Sequence, residues 1–104
     1  MSVVLDPVGH ENTVTETEMR DYASRGMVTS TDVMQTPDGE YFVVLTLYGH
    51  RKKEWYLTTR RERTRPRMFQ NLEKLNMLLC EIVDHPTLTI HRGVSVPAAA
   101  GDGN

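Results

Sequence analysis

The stretch "TDVMQTPDGEYFVVLTLYGHRKKEWYLTTRR", residues 31–61, decides the fold. Within it "TPDGE" sets a proline, which presets φ for a turn, near a glycine, which accepts φ > 0, between two runs of β-prone residues. That combination predicts a hairpin. The run Glu40 to Tyr48 is dense in β-branched and aromatic residues, and "GHRKK" then turns the chain back into "EWYLTTR". Three antiparallel strands in meander order follow.

Strand side chains alternate between faces, so Tyr41, Val43, Leu45 and Leu47 share one face and Phe42, Val44, Thr46 and Tyr48 the other. The first set is the more aliphatic and is expected to face the core. In the next strand Trp55, Leu57 and Thr59 alternate with Tyr56, Thr58 and Arg60, so the second face gathers aromatic side chains beside an arginine, in a register the sequence leaves open. Trp55 and Phe69 are read as core, because a small domain needs large side chains to fill it.

From Asn71 the period changes. Phe69, Leu72, Leu75, Leu79 and Ile82, with Leu78 and Val83 beside them, recur at three and four residues and leave Glu73, Lys74, Asn76 and Glu81 for the opposite side. A helix capped by Asn71 and running to about Val83 is expected, its apolar stripe laid on the aliphatic face of the sheet. After Pro86, "TLTIHRG" has strand character and adds a short edge strand. The fold class is therefore α+β: a three- to four-stranded antiparallel meander with one main amphipathic helix packed on one face.

The ends read differently. Residues 1–30 are rich in Thr, Ser and Glu and are expected to form a flexible acidic arm. Thr15 followed by Glu18 reads as a capping box and Gly26 as a stop, so a short helix over 16–25 is the competing expectation. Residues 31–92 form the single folded domain, and residues 93–104, small and rich in Gly and Ala, a disordered tail. At 104 residues a second core is not expected.

One cysteine, Cys80, allows no intramolecular disulfide framework, and no secretory leader is visible at the start, so a cytoplasmic protein is expected. No apolar run approaches the roughly 18 to 20 residues that span a bilayer. His10, His50, His85 and His91 fall in an arm, a turn, a post-helix loop and a terminal strand, without metal-ligand spacing. Cys80, at the border of the helix stripe, reads as a small half-buried hydrophobe. No phosphate loop, nucleophile elbow or paired-carboxylate constellation occurs, so neither an enzyme nor a cofactor or metal is expected.

Charge is the remaining signal. The net charge of −2 hides nine basic residues, Arg51, Lys52, Lys53, Arg60, Arg61, Arg63, Arg65, Arg67 and Lys74, against Glu54, Glu62 and Glu73 over residues 51–74. Residues 1–24 hold Asp6, Glu11, Glu16, Glu18 and Asp21 against Arg20 alone. From residue 60 to 67 every basic residue is arginine, whose fork suits phosphate or carboxylate. The expected nucleic-acid-binding set is Arg51, Lys52, Lys53, Arg60, Arg61, Arg63, Arg65 and Arg67, with Tyr48 and Tyr56 for stacking or as an interface. An acidic protein is the other anion these arginines suit, and this chain's own N-terminal segment qualifies.

In layout, "DGEYFVVLTLYGHRKKEWYLTTRRERTRPRMFQNLEKLNMLLCEI" is similar to the three-stranded DNA-reading arm domains of tyrosine integrases. Over about residues 37–83, and in "YLTTRRERTRPRMFQNLEKLNMLL" above all, the chain resembles the small ParC-type partition-associated proteins of plasmids. That resemblance brings no catalytic motif. It implies a non-enzymatic accessory of plasmid maintenance that touches DNA or a DNA-processing protein. The alternative is a protein-interaction module that forms a homodimer or docks on a partner without nucleic acid.

Overall fold

A computed structural model describes residues 5–50, 54–84 and 88–99. After a 3-10 turn at His10–Asn12 come β1 (Thr13–Val14), α1 (Glu16–Ser24), β2 (Val28–Gln35), β3 (Tyr41–Leu47), β4 (Trp55–Leu57), α2 (Leu72–Ile82) and β5 (Thr89–Arg92). One sheet holds all five strands in the order β1-β4-β3-β2-β5.

The expected meander is its centre. β3 pairs antiparallel with β2, Val33 opposite Val43, and with β4, Leu45 opposite Trp55. The hairpin turn closes through Thr36: its amide donates to the Glu40 carbonyl at 2.8 Å and its hydroxyl accepts from the Glu40 amide at 3.1 Å. Gly39, at φ 87°, takes the left-handed step that a side chain disfavours.

At the edges the sheet is mixed rather than antiparallel. β1 runs parallel to β4 and β5 parallel to β2. Since β2 and β4 both oppose β3, four strands point one way and β3 alone points the other. The chain is thus two crossover units, β1-α1-β2 and β4-α2-β5, because parallel strands need a long return path. Local turn signals report only neighbours in sequence, which is why the parallel edges were not among the expectations.

Both helices cover one face. Met19 of α1 and Leu75 and Leu79 of α2 are buried against Val33, Val43, Leu45, Leu47, Trp55 and Leu57. The Thr15–Glu18 capping box forms in full, with the Thr15 amide donating to Glu18 Oε1 at 2.9 Å. Asn71 Oδ1 likewise accepts from the Lys74 amide at 3.0 Å and starts α2. Cys80 departs from expectation: it is exposed, on the outer side of α2 with Asn76, because Leu79 takes the inward position one residue earlier.

The second face of the sheet is also buried. Phe42, Val44, Met34 and Tyr56 pack with Val8 and Val94, flanked by Leu5 and Met68. The two terminal segments supply this cover. Val8 bridges Ala99, its amide donating to the Ala98 carbonyl at 2.8 Å, and the Val94 amide donates to the Gln35 carbonyl at 2.9 Å. Asn12, buried in the N-terminal segment, accepts from the Gly9 amide at 2.8 Å and donates to the Pro7 carbonyl at 2.9 Å, so its amide group is satisfied. Residues 5–30 therefore form part of the fold rather than a flexible arm, with a helix at Glu16–Ser24 in place of 16–25. Val94 likewise packs on the second face and Ala99 bridges Val8, so residues 94–99 are tied to the fold instead of forming a loose tail, and residues 100–104 of the expected tail lie outside the described residues.

Tyr56 is fully buried, which removes it from any exposed stacking surface. Its hydroxyl donates to the Asp6 carbonyl at 2.5 Å, and burial, followed by the nearby Glu54 and Asp6 carboxylates, pushes the phenol well above its usual range. Tyr48, by contrast, is 72% exposed at the far end of β3.

Urea unfolding checks this two-sided core. Phe42→Ala should cost about 3–5 kcal/mol, Tyr56→Phe about 1 kcal/mol through the orphaned carbonyl, and Tyr48→Ala less than about 0.5 kcal/mol. Equally small losses at Phe42 and Tyr48 would mean that the second face is open.

Candidate anion-binding loop

Between Leu57 and Leu72 the chain runs through an irregular connection that carries Arg60, Arg61, Arg63, Arg65 and Arg67. Backbone bonds fix its two ends. The Thr58 amide donates to the Val14 carbonyl at 2.8 Å, the Arg67 amide to the Leu57 carbonyl at 2.8 Å, and Phe69 and Tyr41 exchange a bonded pair at 2.8 Å. Pro66 is buried between the last two arginines. A loop tied at its ends in this way presents its side chains from a defined base.

The arginines divide into two groups. Arg63 and Arg67 turn back onto α1. Arg63 pairs with Glu18, and Arg67 Nη1 stands 3.3 Å from Glu16 Oε1 with its guanidinium 4.7 Å from the Phe69 ring centroid. The other Glu16 oxygen accepts from Arg20 at 3.0 Å, and Arg20 lies 3.7 Å from Glu81 of α2. This chain of charges joins loop, α1 and α2.

Arg60, Arg61 and Arg65 are exposed and take part in no ion pair among the described residues. Their one acidic neighbour in the loop, Glu62, is turned onto Thr64. Hydrogen bonds from the Thr64 hydroxyl and amide, with a smaller pull from Arg65, hold its carboxyl below the usual range. An open depression lined by Met68, Phe69, Gln70, Asn71 and Lys74 adjoins the loop and adds a further cation.

Not every expected residue is here. Arg51, Lys52 and Lys53 lie outside the described residues. Their flanks, His50 and Glu54, sit at the end of β4 opposite the arginine loop, as does Tyr48. His50 packs edge-on to Trp55 at 5.0 Å and Tyr22 at 5.7 Å, and Glu54 accepts from the Asp6 amide at 2.9 Å. Burial raises the Glu54 carboxyl above its usual range, with the Asp6 charge adding to it against that hydrogen bond. His91 Nε2 is 3.4 Å from Asp32 Oδ1 across the β2–β5 pair, and His85 is outside the described residues. Among the described residues no three His, Cys, Asp or Glu side chains are placed to share a metal, and no helix is long and apolar enough to cross a membrane.

The residues that sequence reading left out of the site are Glu16, Glu18 and Phe69. The capping box and the acid-rich N-terminal segment were both visible, but which carboxylate meets which arginine depends on the packing of α1 beside the loop. Fold and loop together define an α+β domain with a two-sided sheet and a basic connecting loop. No family model matches the chain, and no curated protein or solved structure matches it.

The Glu18 carboxyl supplies a pH test. Burial raises it, but the Thr15 amide and the Arg63 guanidinium outweigh that and leave it below its ordinary value. A depressed carboxyl stabilises the fold above its unfolded pKa of about 4.3, and that contribution is lost as pH falls through the lower folded value. Glu18→Gln should therefore lower stability at neutral pH and make the fall in stability below about pH 5 shallower. An acid limb identical to that of the unaltered protein would show that Arg63 draws nothing from Glu18.

Proposed function

We propose that this protein is a non-enzymatic accessory of plasmid maintenance or partition, acting in the cytoplasm, that binds DNA or a DNA-bound partner through its arginine loop. The observation that carries the reading is the exposure of Arg60, Arg61 and Arg65, none of them in an ion pair among the described residues, on a loop whose ends are anchored. Guanidinium groups held this way meet phosphates without first breaking an internal pair. The plasmid setting rests on the resemblance of residues 37–83 to ParC-type proteins. Arg51, Lys52 and Lys53 stay in the proposed surface as a second basic contact, and Arg63 and Arg67 are held by α1 in the free chain.

A protein-interaction module is the second reading, and one feature favours it. β5 is an edge strand of mostly exposed residues, among them Ile90 at 38% exposure, and its outer side has no strand partner among the described residues. Pairing of that edge with a second copy would give a homodimer that needs no nucleic acid.

Fluorescence anisotropy of a labelled duplex, titrated at low and near-physiological salt, separates the two. Neutralising three phosphate contacts in the variant R60Q/R61Q/R65Q should weaken binding sharply and reduce the magnitude of the log–log salt slope by about 2.7. No duplex binding at low salt by the unaltered protein, together with a dimer in sedimentation equilibrium that an Ile90→Glu change dissolves, would replace the first reading with the second.

A further inference from the structure

We infer that Arg63 and Arg67 are two further phosphate subsites of this same surface, occupied in the free chain by the Glu18 and Glu16 carboxylates of α1. The inference rests on the nucleic-acid reading above and extends it from three arginines to five.

A carboxylate offers a guanidinium the same pair of acceptor oxygens as a phosphodiester. Glu16 and Glu18, two positions apart at the start of α1, therefore stand where a polyanion's oxygens would stand. They reach the loop from 51 and 45 residues away in the chain. Both pairs border solvent, with side-chain exposures of 25% at Arg63 and 46% at Glu18, so each holds weakly and yields to a competing anion.

Displacement would strand no charge. Glu16 keeps Arg20 on its other oxygen, and Glu18 keeps the Thr15 amide. Arg67 keeps the Phe69 ring under its guanidinium and its own amide on the Leu57 carbonyl, so it stays aimed while its partner changes. An ion pair that served only to fix the loop would not need these second partners for Glu16, Glu18 and Arg67. Here the supporting contacts already exist, and a phosphate needs only to exchange for a carboxylate.

The test uses the full chain and the same labelled duplex, with three double variants. E16Q/E18Q frees the two arginines while leaving α1 intact, because Gln at this position serves a capping box as Glu does. It should bind roughly 2- to 30-fold more tightly than the unaltered protein, the range set by two exposed ion pairs. D38N/E73Q removes two acidic charges elsewhere and should give a clearly smaller gain. R63Q/R67Q should lower the magnitude of the salt slope by about 1.8.

A native far-ultraviolet circular dichroism spectrum and a cooperative urea transition establish that each variant is folded, the lower midpoint expected of Glu18→Gln included. Unchanged affinity in E16Q/E18Q, an equal gain in D38N/E73Q, or an unchanged slope in R63Q/R67Q overturns the inference. If R60Q/R61Q/R65Q still loses binding in that case, the nucleic-acid reading stands without it. If no variant binds the duplex at any salt, both fall together.

Discussion

Burial of β3 on both faces is the constraint on which the rest of the structure depends. Val43, Leu45 and Leu47 point to one side and Phe42 and Val44 to the other, and all five are within 5% of full burial. A strand of that composition cannot sit at the surface of a one-sided sheet, because either face left open would expose a continuous apolar patch. Two helices suffice for one side. Among the described residues no third helix lies over the other, and the terminal segments cover it, joined to each other by the Val8–Ala99 bridge. Cooperative loss of both segments is then expected on unfolding, since either alone leaves Phe42 and Tyr56 half covered.

The same constraint places the arginine loop. β4 is only three residues long and must hand the chain to α2, which returns it across the helical face to β5 at the far edge. The connection leaves the sheet beside β1, whose chain continues into α1. The start of α1 is therefore next to the loop for topological reasons, and its first-turn acids, favourable there for the helix dipole, also lie within reach of Arg63 and Arg67. One pair of carboxylates thus serves helix start and loop at once.

How much of this was legible in the sequence follows from the range of each signal. The hairpin at Thr36–Gly39, the capping box at Thr15 and the α2 limits around Asn71 are written in residues two to four apart, and each was read correctly in kind. The β3 face that meets the helices was also readable from its aliphatic character. The second core was not, because Phe42, Val44 and Tyr56 look like an exposed aromatic face until Val8 and Val94, lying about forty residues away on either side, are brought against them. β1 and β5 are two and four residues long, and their parallel pairing is decided by crossovers that leave no local mark. The arginines were visible as a group, but their division into three outward and two inward depends on where α1 sits.

That division also bears on a protein of net charge −2 that carries so basic a segment. A chain with five unpaired arginines on one loop would attract any polyanion through long-range field alone, with little discrimination. Pairing two of them internally lowers that field while leaving their geometry in place; on the proposed reading, weak or poorly shaped anions would meet three cations and only a partner with phosphates at the right positions would meet five. The cost of exchanging two exposed ion pairs is small against the gain of two charge-assisted contacts, provided both form together. On that proposal the α1 carboxylates would act less as a block than as a threshold, set by the same short helix that completes the core through Met19.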